Sequence, residues 1–431
     1  MTHAPLRIGI IGAGVSGMTA AWLLQDDHPV TLFDNATRVG GHVDTVPVEV
    51  SGRTVHAELG PRFFFDSAYP YFLGLLRLLD VPIHWSDAMA SFTDTSDGRT
   101  LVLPPHSARQ VASLLRSPRL FRHVLSLRRL IQEQPLIAKG RDFSVTFREH
   151  LAHQHYPATF GPEFVFPFLS ACWGAPLDQL PEFPVYSLLK GMPPGNRPGF
   201  YEVDGGMSAY MKAYGERLSK VDLRLGVAVR RVEQRVDARG GFQVENEHGE
   251  RQSFDRLIVA TSSREAAALL RDVPAAEELR AAVGSFRHFD TDIVIHGDRS
   301  LMPGDERDWA HTNLFFDGAK AWMSDWPGLR EGAPVFRTWL PKGHALPTPL
   351  YGRRSFHHLV MSPENAVLQR RIASLQGTAG LWVTGMYAAD VDNHESALLS
   401  AVAPAKALAP ASENLARLLN AVAPDAAHGL E

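Results

Sequence analysis

The sequence predicts an α/β fold interleaved with a second, α+β unit. Three observations predict it. An apolar run, Leu6 to Ile11, closes on Gly12-Ala13-Gly14-Val15-Ser16-Gly17 at the chain start. A second strand signal returns far along the chain at Asp255-Arg256-Leu257-Ile258-Val259-Ala260-Thr261, and a third stands near the end at Leu381-Trp382-Val383-Thr384-Gly385. The two stretches between them carry different patterns, first helical and then strand-rich.

The first element is a strand, then a tight glycine turn, then a helix carrying Met18, Ala21, Trp22 and Leu24. Gly12 permits the turn. Gly14 lets backbone approach a phosphate where a Cβ would collide, and Gly17 lets the helix pack on the strand. The helix start at Val15 and Ser16 offers free N–H groups and a partial positive charge. A second strand, Val30 to Phe33, ends at Asp34, followed by Asn35. That acid lies ~20 residues beyond the glycines, where a carboxylate can take ribose hydroxyls. These residues point to a bound dinucleotide; an ordinary strand–helix–strand start without ligand is the alternative.

The next stretch, Asp34-Asn35-Ala36-Thr37-Arg38-Val39-Gly40-Gly41-His42, resembles the R-x-G-G-[RH] segment that follows the acid in the flavin amine oxidase and carotenoid desaturase superfamily. The resemblance implies FAD rather than NAD. Arg38 can neutralise pyrophosphate charge with its forked donors. Gly40 and Gly41 let the loop pass close to the cofactor, and His42 stands where many relatives carry arginine. Glu58-Leu59-Gly60-Pro61-Arg62-Phe63 matches the superfamily's acid-x-Gly segment, which places Gly60, Pro61, Arg62 and Phe63 beside the flavin.

A helical region follows, from about Pro105 to Leu189, interrupted at Pro157, Pro162, Pro167 and Pro176, with Pro/Gly punctuation at Gly191–Gly195 and Arg197–Gly199. Strand signals resume from Val221 to Arg235, with a turn at Gly240-Gly241 and strands at Phe242–Glu245 and Phe254–Ala260. In the superfamily, a backbone amide near Val229 meets the adenine, and the returning strand ends near the cofactor at Ala260 and Thr261. Phe286 to Met361 is strand-rich. The last strand leads through Gly385 and Met386 to a helix from His394 towards Ala403; by resemblance the N-terminus at His394, Glu395, Ser396 and Ala397 faces the flavin ring.

The resemblance covers nearly the whole chain and is closest to a bacterial family described as predicted NAD/FAD-binding or amine oxidase-like proteins. Pro167–Gly174, Val203-Asp204-Gly205-Gly206-Met207 and His296–Pro303 also carry it. It implies a Rossmann-type (GR2-like) FAD-binding domain from residues 1–80, 200–280 and 372–431, and a substrate domain from 81–199 and 281–371. It further implies a noncovalent FAD oxidoreductase acting on a small or acyl/lipid-like molecule by hydride transfer to the flavin. Two departures matter. Amine oxidases carry a lysine on a substrate-domain strand, and Thr291–His296 has none; no cysteine lies near the C-terminal motif for a covalent flavin link.

A proton acceptor is still needed, and histidine suits that role. His296 and His394 are the catalytic candidates, with His42 a further one, and Arg62 as a holder of an anionic group or the cofactor. Tyr387 and Trp173 are candidate pocket walls. Cys172, the only cysteine, reads as packing. No metal motif is present: His357 and His358 are adjacent and no cysteine supports them. An isomerase without net oxidation, and a nonenzymatic FAD-binding protein, are the alternatives. The electron acceptor is open, with O₂ one candidate.

Length and composition agree with this reading. A chain of 431 residues suggests two domains; 45% hydrophobic and 21% charged residues are ordinary for a globular protein. A net charge of -4 gives no reason to expect nucleic acid. One cysteine, no leader pattern in Met1–Pro5 and no long apolar run predict a cytoplasmic protein. One segment stands out: Arg99, Arg109, Arg116, Arg119, Arg122, Arg128 and Arg129 occur among leucines without an acid from Gly98 to Gln132. It reads as one or two basic amphipathic helices, either a patch for a membrane surface or acidic carrier, or a solvated face over a core.

Overall fold

The structure is a computed structural model, and it describes residues 4–193, 199–235 and 240–422. Pro194, Gly195, Arg197 and Pro198 of the Pro/Gly punctuation, and the end of the Ala/Pro-rich tail, lie outside the described residues.

Two sheets organise the chain. The first has five parallel strands in the order Leu381–Val383, Arg256–Val259, Ile8–Ile11, Val30–Asp34 and Val221–Leu225. Its central members read Arg-Leu-Ile-Val, Ile-Gly-Ile-Ile and Val-Thr-Leu-Phe-Asp, largely apolar runs as a sheet covered on both faces demands. Strand order reverses at Ile8–Ile11, and in such sheets a crevice opens at the carboxyl ends beside the reversal. The opening helix, Val15–Leu24, is buried along its whole length, which explains why it is apolar all round.

The second sheet has seven strands in the order Leu350–Leu359, His288–His296, Phe336–Leu340, Ala321–Asp325, Thr312–Phe316, Ala90–Asp94 and Arg99–Leu103. All pairings are antiparallel except Thr312–Phe316 with Ala90–Asp94. The helices Ala108–Leu115, Pro118–Gly140, Phe147–His153, Phe166–Trp173 and Val185–Lys190 belong with this sheet, sharing a core that includes Phe92, Phe164, Phe168, Leu188, Leu314 and Met323. The two sheets thus interleave along the chain, as expected of a Rossmann-type unit with an α+β partner.

Three local readings change. The alternating run Val221–Arg235 is two strands, split at Gly226 (φ +71°): Val221–Leu225 joins the parallel sheet, while Val229–Gln234 pairs with Phe242–Asn246. At Pro167 the helical region changes winding without ending: a π-helical turn, Gly161–Val165, runs directly into the helix Phe166–Trp173. Arg99 lies on a strand, so the basic segment is helical only from Ala108 onward.

Candidate active site

One cavity of about 930 Å³ starts at the carboxyl ends of the parallel strands and runs on to the seven-stranded sheet. Its first end is made mainly of backbone. Gly12 holds φ +108°, a value side chains rarely adopt, and a Cβ there would lie 2.6 Å from the Ala260 carbonyl oxygen. A Cβ on Gly17 would stand 1.8 Å from the Gly12 carbonyl oxygen, so this glycine sets the approach of helix to turn. A Cβ on Gly14 would meet nothing nearer than Gly41 Cα at 3.9 Å; it would instead fill space in the cavity. The first-turn N–H groups of a helix have no intrahelical partner. Here no side chain caps them, and the first turn carries no acid. Asp34 fixes the loop: its Oδ2 accepts from Ala13 N at 2.6 Å and its Oδ1 from Ala36 N at 2.8 Å.

Most residues singled out from the sequence line this cavity, from Gly12, Asp34 and Gly40-Gly41 through Val229, Ala260 and Thr261 to Gly385, Met386, His394 and Ala397. Five do not. Gly17 is a packing glycine. Arg38 gives Nη1 to the Val43 carbonyl at 2.6 Å and pairs with Asp44 at 3.0 Å, so it clamps the Gly40-Gly41 loop from outside. Glu395 turns away, its two carboxylate oxygens accepting from Tyr71 N and Phe72 N at 2.8 Å each. Ser396 N donates to Asn393 Oδ1 at 2.8 Å and its hydroxyl accepts from Val391 N, so the helix start is capped internally. His296 is fully buried at a strand end, with Thr338 Oγ1 2.7 Å from Nε2 and Asp298 N donating to Nδ1; it stands outside the cavity.

The histidine candidates are neutral groups of low basicity. Burial lowers His296 to about 4. Burial, with nearby His358, lowers His42 to about 4, and burial with His42 lowers His394 to about 3. His394 sits against Phe72 and Phe64 with Nε2 3.2 Å from the Tyr210 hydroxyl. Arg62 lines the cavity, but its charge is matched: Nε to Glu202 at 2.6 Å, Nη1 to Asp325 at 3.9 Å, and the guanidinium over the Phe63 ring. Burial opposes ionisation of Glu202, yet Arg62, His311 and His84 outweigh it and hold the carboxyl well below the usual range.

The far end is built from side chains that sequence reasoning largely missed. Phe168, Cys172, Met192, Ile293, Leu314, Met323 and Met361 make it apolar. Cys172 is pushed up to about 12 by burial and stays a thiol. Three rings form a wall there. Trp173 packs on Gly191, where an added Cβ would lie 2.6 Å from its ring. Trp339 packs on Gly174, the residue after Trp173, and stacks on His358 with centroids 5.4 Å apart. Trp173 Nε1, Trp339 Nε1 and His358 Nε2 are buried without a hydrogen-bond partner, and Asn393 Nδ2, also on the cavity, is another. His358 Nδ1 faces Asp392 at 3.5 Å. At the other end Arg354, also missed, reaches the Gly41 carbonyl at 2.9 Å and Asp44 at 3.1 Å. Only Trp173 carried a signal, through its segment's resemblance; His358, Trp339 and Arg354 come from strands whose pairing no local motif announces. Among the described residues no lysine lines the cavity and no His/Cys/Asp/Glu cluster could hold a metal.

The family model for flavin-containing amine oxidoreductases matches residues 15–296. The chain belongs to that family. Its cofactor class is FAD, and the glycine cradle, the uncapped helix start and Asp34 fit such a group. Among solved structures, this flavin amine oxidoreductase resembles a conjugated-linoleic-acid-producing fatty acid isomerase from P. acnes (TM-score 0.66, 15% identity, 92% of this chain and 97% of that one). It also resembles a putrescine oxidase (TM-score 0.63, 15% identity, 94% and 99%). At these identities the likeness is one of fold. In sequence, it is 43% identical over 61 residues to the L-amino-acid oxidase BjussuLAAO-I of Bothrops jararacussu and to zeta-carotene desaturase of Arabidopsis thaliana. Those matches cover 14% of this chain but only 12% and 10% of the relatives' own lengths. No helix among the described residues is long and apolar enough to cross a membrane.

Proposed function

We propose that this family member oxidises, dehydrogenates or desaturates an apolar, lipid-like substrate. The observation that carries the reading is the composition of the far end of the cavity. It is apolar, and it lacks lysine among the described residues. An alkyl chain gains about 0.8 kcal/mol per CH₂ buried there. An ammonium brought into the same end loses its hydration, which costs several kcal/mol unless it is paired.

In this reading Gly12, Gly14, the first turn of the helix Val15–Leu24 and Asp34 hold the FAD, with Gly60 to Phe63, Gly385, Met386 and Ala397 along its length. FAD when bound accepts the hydride. The apolar wall excludes water, and the rings of Trp173 and Trp339 shape it. His358, steadied by Asp392 and by stacking on Phe289 and Trp339, belongs to the same wall.

The test starts from the visible spectrum of purified protein before and after acid release. Paired bands near ~370 and ~450 nm with released FAD are expected. Anaerobic bleaching of those bands by long-chain carbonyl or carboxyl compounds, and not by alkylamines, supports the reading. Turnover that leaves the flavin oxidised would assign an isomerase instead. A colourless protein that takes up no added FAD would remove both.

A further inference from the structure

The helices Ala108–Leu115 and Pro118–Gly140 carry the arginine-rich segment, whose role the cavity leaves unexplained. Their inner faces are accounted for. Leu114, Leu127 and Leu130 are buried in the core beside the seven-stranded sheet, and Gln134 donates Nε2 to the carbonyls of Leu189 and Met192. Their outer faces are unusual. Leu136 is 76% exposed, Leu115 62%, Leu125 48% and Val111 42%, with Phe121 beside them. These make half of the large apolar side chains exposed among the described residues, gathered on two adjacent helices. The spacing 121–122, 125, 128, 132, 135–136 and 139 is that of one helical face. On it stand Arg122, Arg128 and Lys139, with Arg116 at the end of the preceding helix. Acids approach only from the sides: Glu163 pairs with Arg119, Glu133 with Arg129 and His150, and Asp308 with Arg109.

We infer that this face docks the protein on an anionic lipid surface. Apolar side chains interspersed with cations are the composition that inserts into headgroups while pairing with lipid phosphates. A solvated face would not need to expose Leu115, Leu125 and Leu136 together. A second copy fits the face poorly, since an isologous pairing would bring Arg122, Arg128 and Lys139 of both copies into one interface with no acid on the face to pair them. The face also has a connection inward: Met192, held by Gln134, lines the apolar end of the cavity. The docking inference stands on the helices alone, and holds whichever substrate the cavity takes.

The test is co-sedimentation of the FAD-loaded full chain with vesicles of phosphatidylcholine alone or containing phosphatidylglycerol, with FAD content measured separately. Binding to the phosphatidylglycerol vesicles that weakens with salt is expected. Arg122→Glu with Arg128→Glu should lower the partition at least about fivefold per arginine. Leu125→Ser with Leu136→Ser should lower it as well, with unchanged melting and FAD content, because these side chains make little core. Absence of binding at low salt overturns the inference. So does binding indifferent to both variant pairs, or a solution dimer that Leu125→Ser with Leu136→Ser dissociates, which would assign the face to a second copy.

Discussion

The two ends of the cavity are made of different material. The cofactor end is largely backbone: positive-φ glycines, a helix start without a side-chain cap, and one carboxylate that ties the loop to its neighbour. The substrate end is side chain, assembled from Phe166–Trp173, Phe336–Leu340, Leu350–Leu359 and the loop at Asp392. At Gly12 and Gly17 the backbone leaves no room for a Cβ. A wall of side chains can instead yield by changing shape.

That difference ranks the expected effects of substitution. Gly17→Ala puts a Cβ against the Gly12 carbonyl, where only backbone can yield. It is expected to abolish bound FAD and to cost ~3 kcal/mol or more. The flavin-to-protein absorbance ratio and the urea midpoint check this; a normal flavin content would show that the turn is less rigid than a backbone-built site requires.

Just before the cavity-lining Leu59 stands Glu58, whose Oε1 accepts from Met207 N at 2.7 Å and Thr45 Oγ1 at 2.8 Å. Burial raises its carboxyl from 4.5 to about 7. A raised folded value means that its contribution is fully present below about pH 4.5, where the unfolded chain is protonated too. It is lost as pH rises through about 7, because the unfolded chain ionises first. Glu58→Gln keeps an oxygen for both donors and removes the titration. It should flatten the fall in melting temperature across that window, a difference of ~2 kcal/mol. An unchanged pH slope would mean that another group carries it.

At the substrate end the expected effect is smaller and more selective. Trp339→Leu removes the ring that packs on Gly174 and stacks on His358 while leaving the wall apolar. Affinity for decanamide should fall about fivefold with FAD content unchanged, the equivalent of ~1 kcal/mol of lost apolar contact. Loss of FAD instead would place the indole against the cofactor.

The same contrast explains what was legible in the sequence. Gly12, Gly14, Gly17 and Asp34 are close along the chain, and each answers a steric or hydrogen-bonding need of one turn, so spacing reveals them. The parallel strands followed from their apolar runs. Arg38, Glu395 and Ser396 lie in the right segments, but a motif does not say which way a side chain turns, and these three serve neighbouring backbone. His296 looked chemical by residue type and is a buried strand-end histidine. Trp339 and His358 are distant from Trp173 in sequence and share its cavity wall only because the helix Phe166–Trp173 packs on the seven-stranded sheet, which leaves no local signature. The arginine-rich helices were legible as amphipathic, but only the fold shows that Leu115, Leu125 and Leu136 face outward.

The most direct measurement is a titration of the FAD-loaded protein with decanamide, decanoate and decylamine, followed in the bound-flavin visible band. An apolar, lysine-free end predicts that uncharged decanamide perturbs the band at least about tenfold more tightly than decylamine. Tighter binding of decylamine, or no response to any of the three, would contradict it.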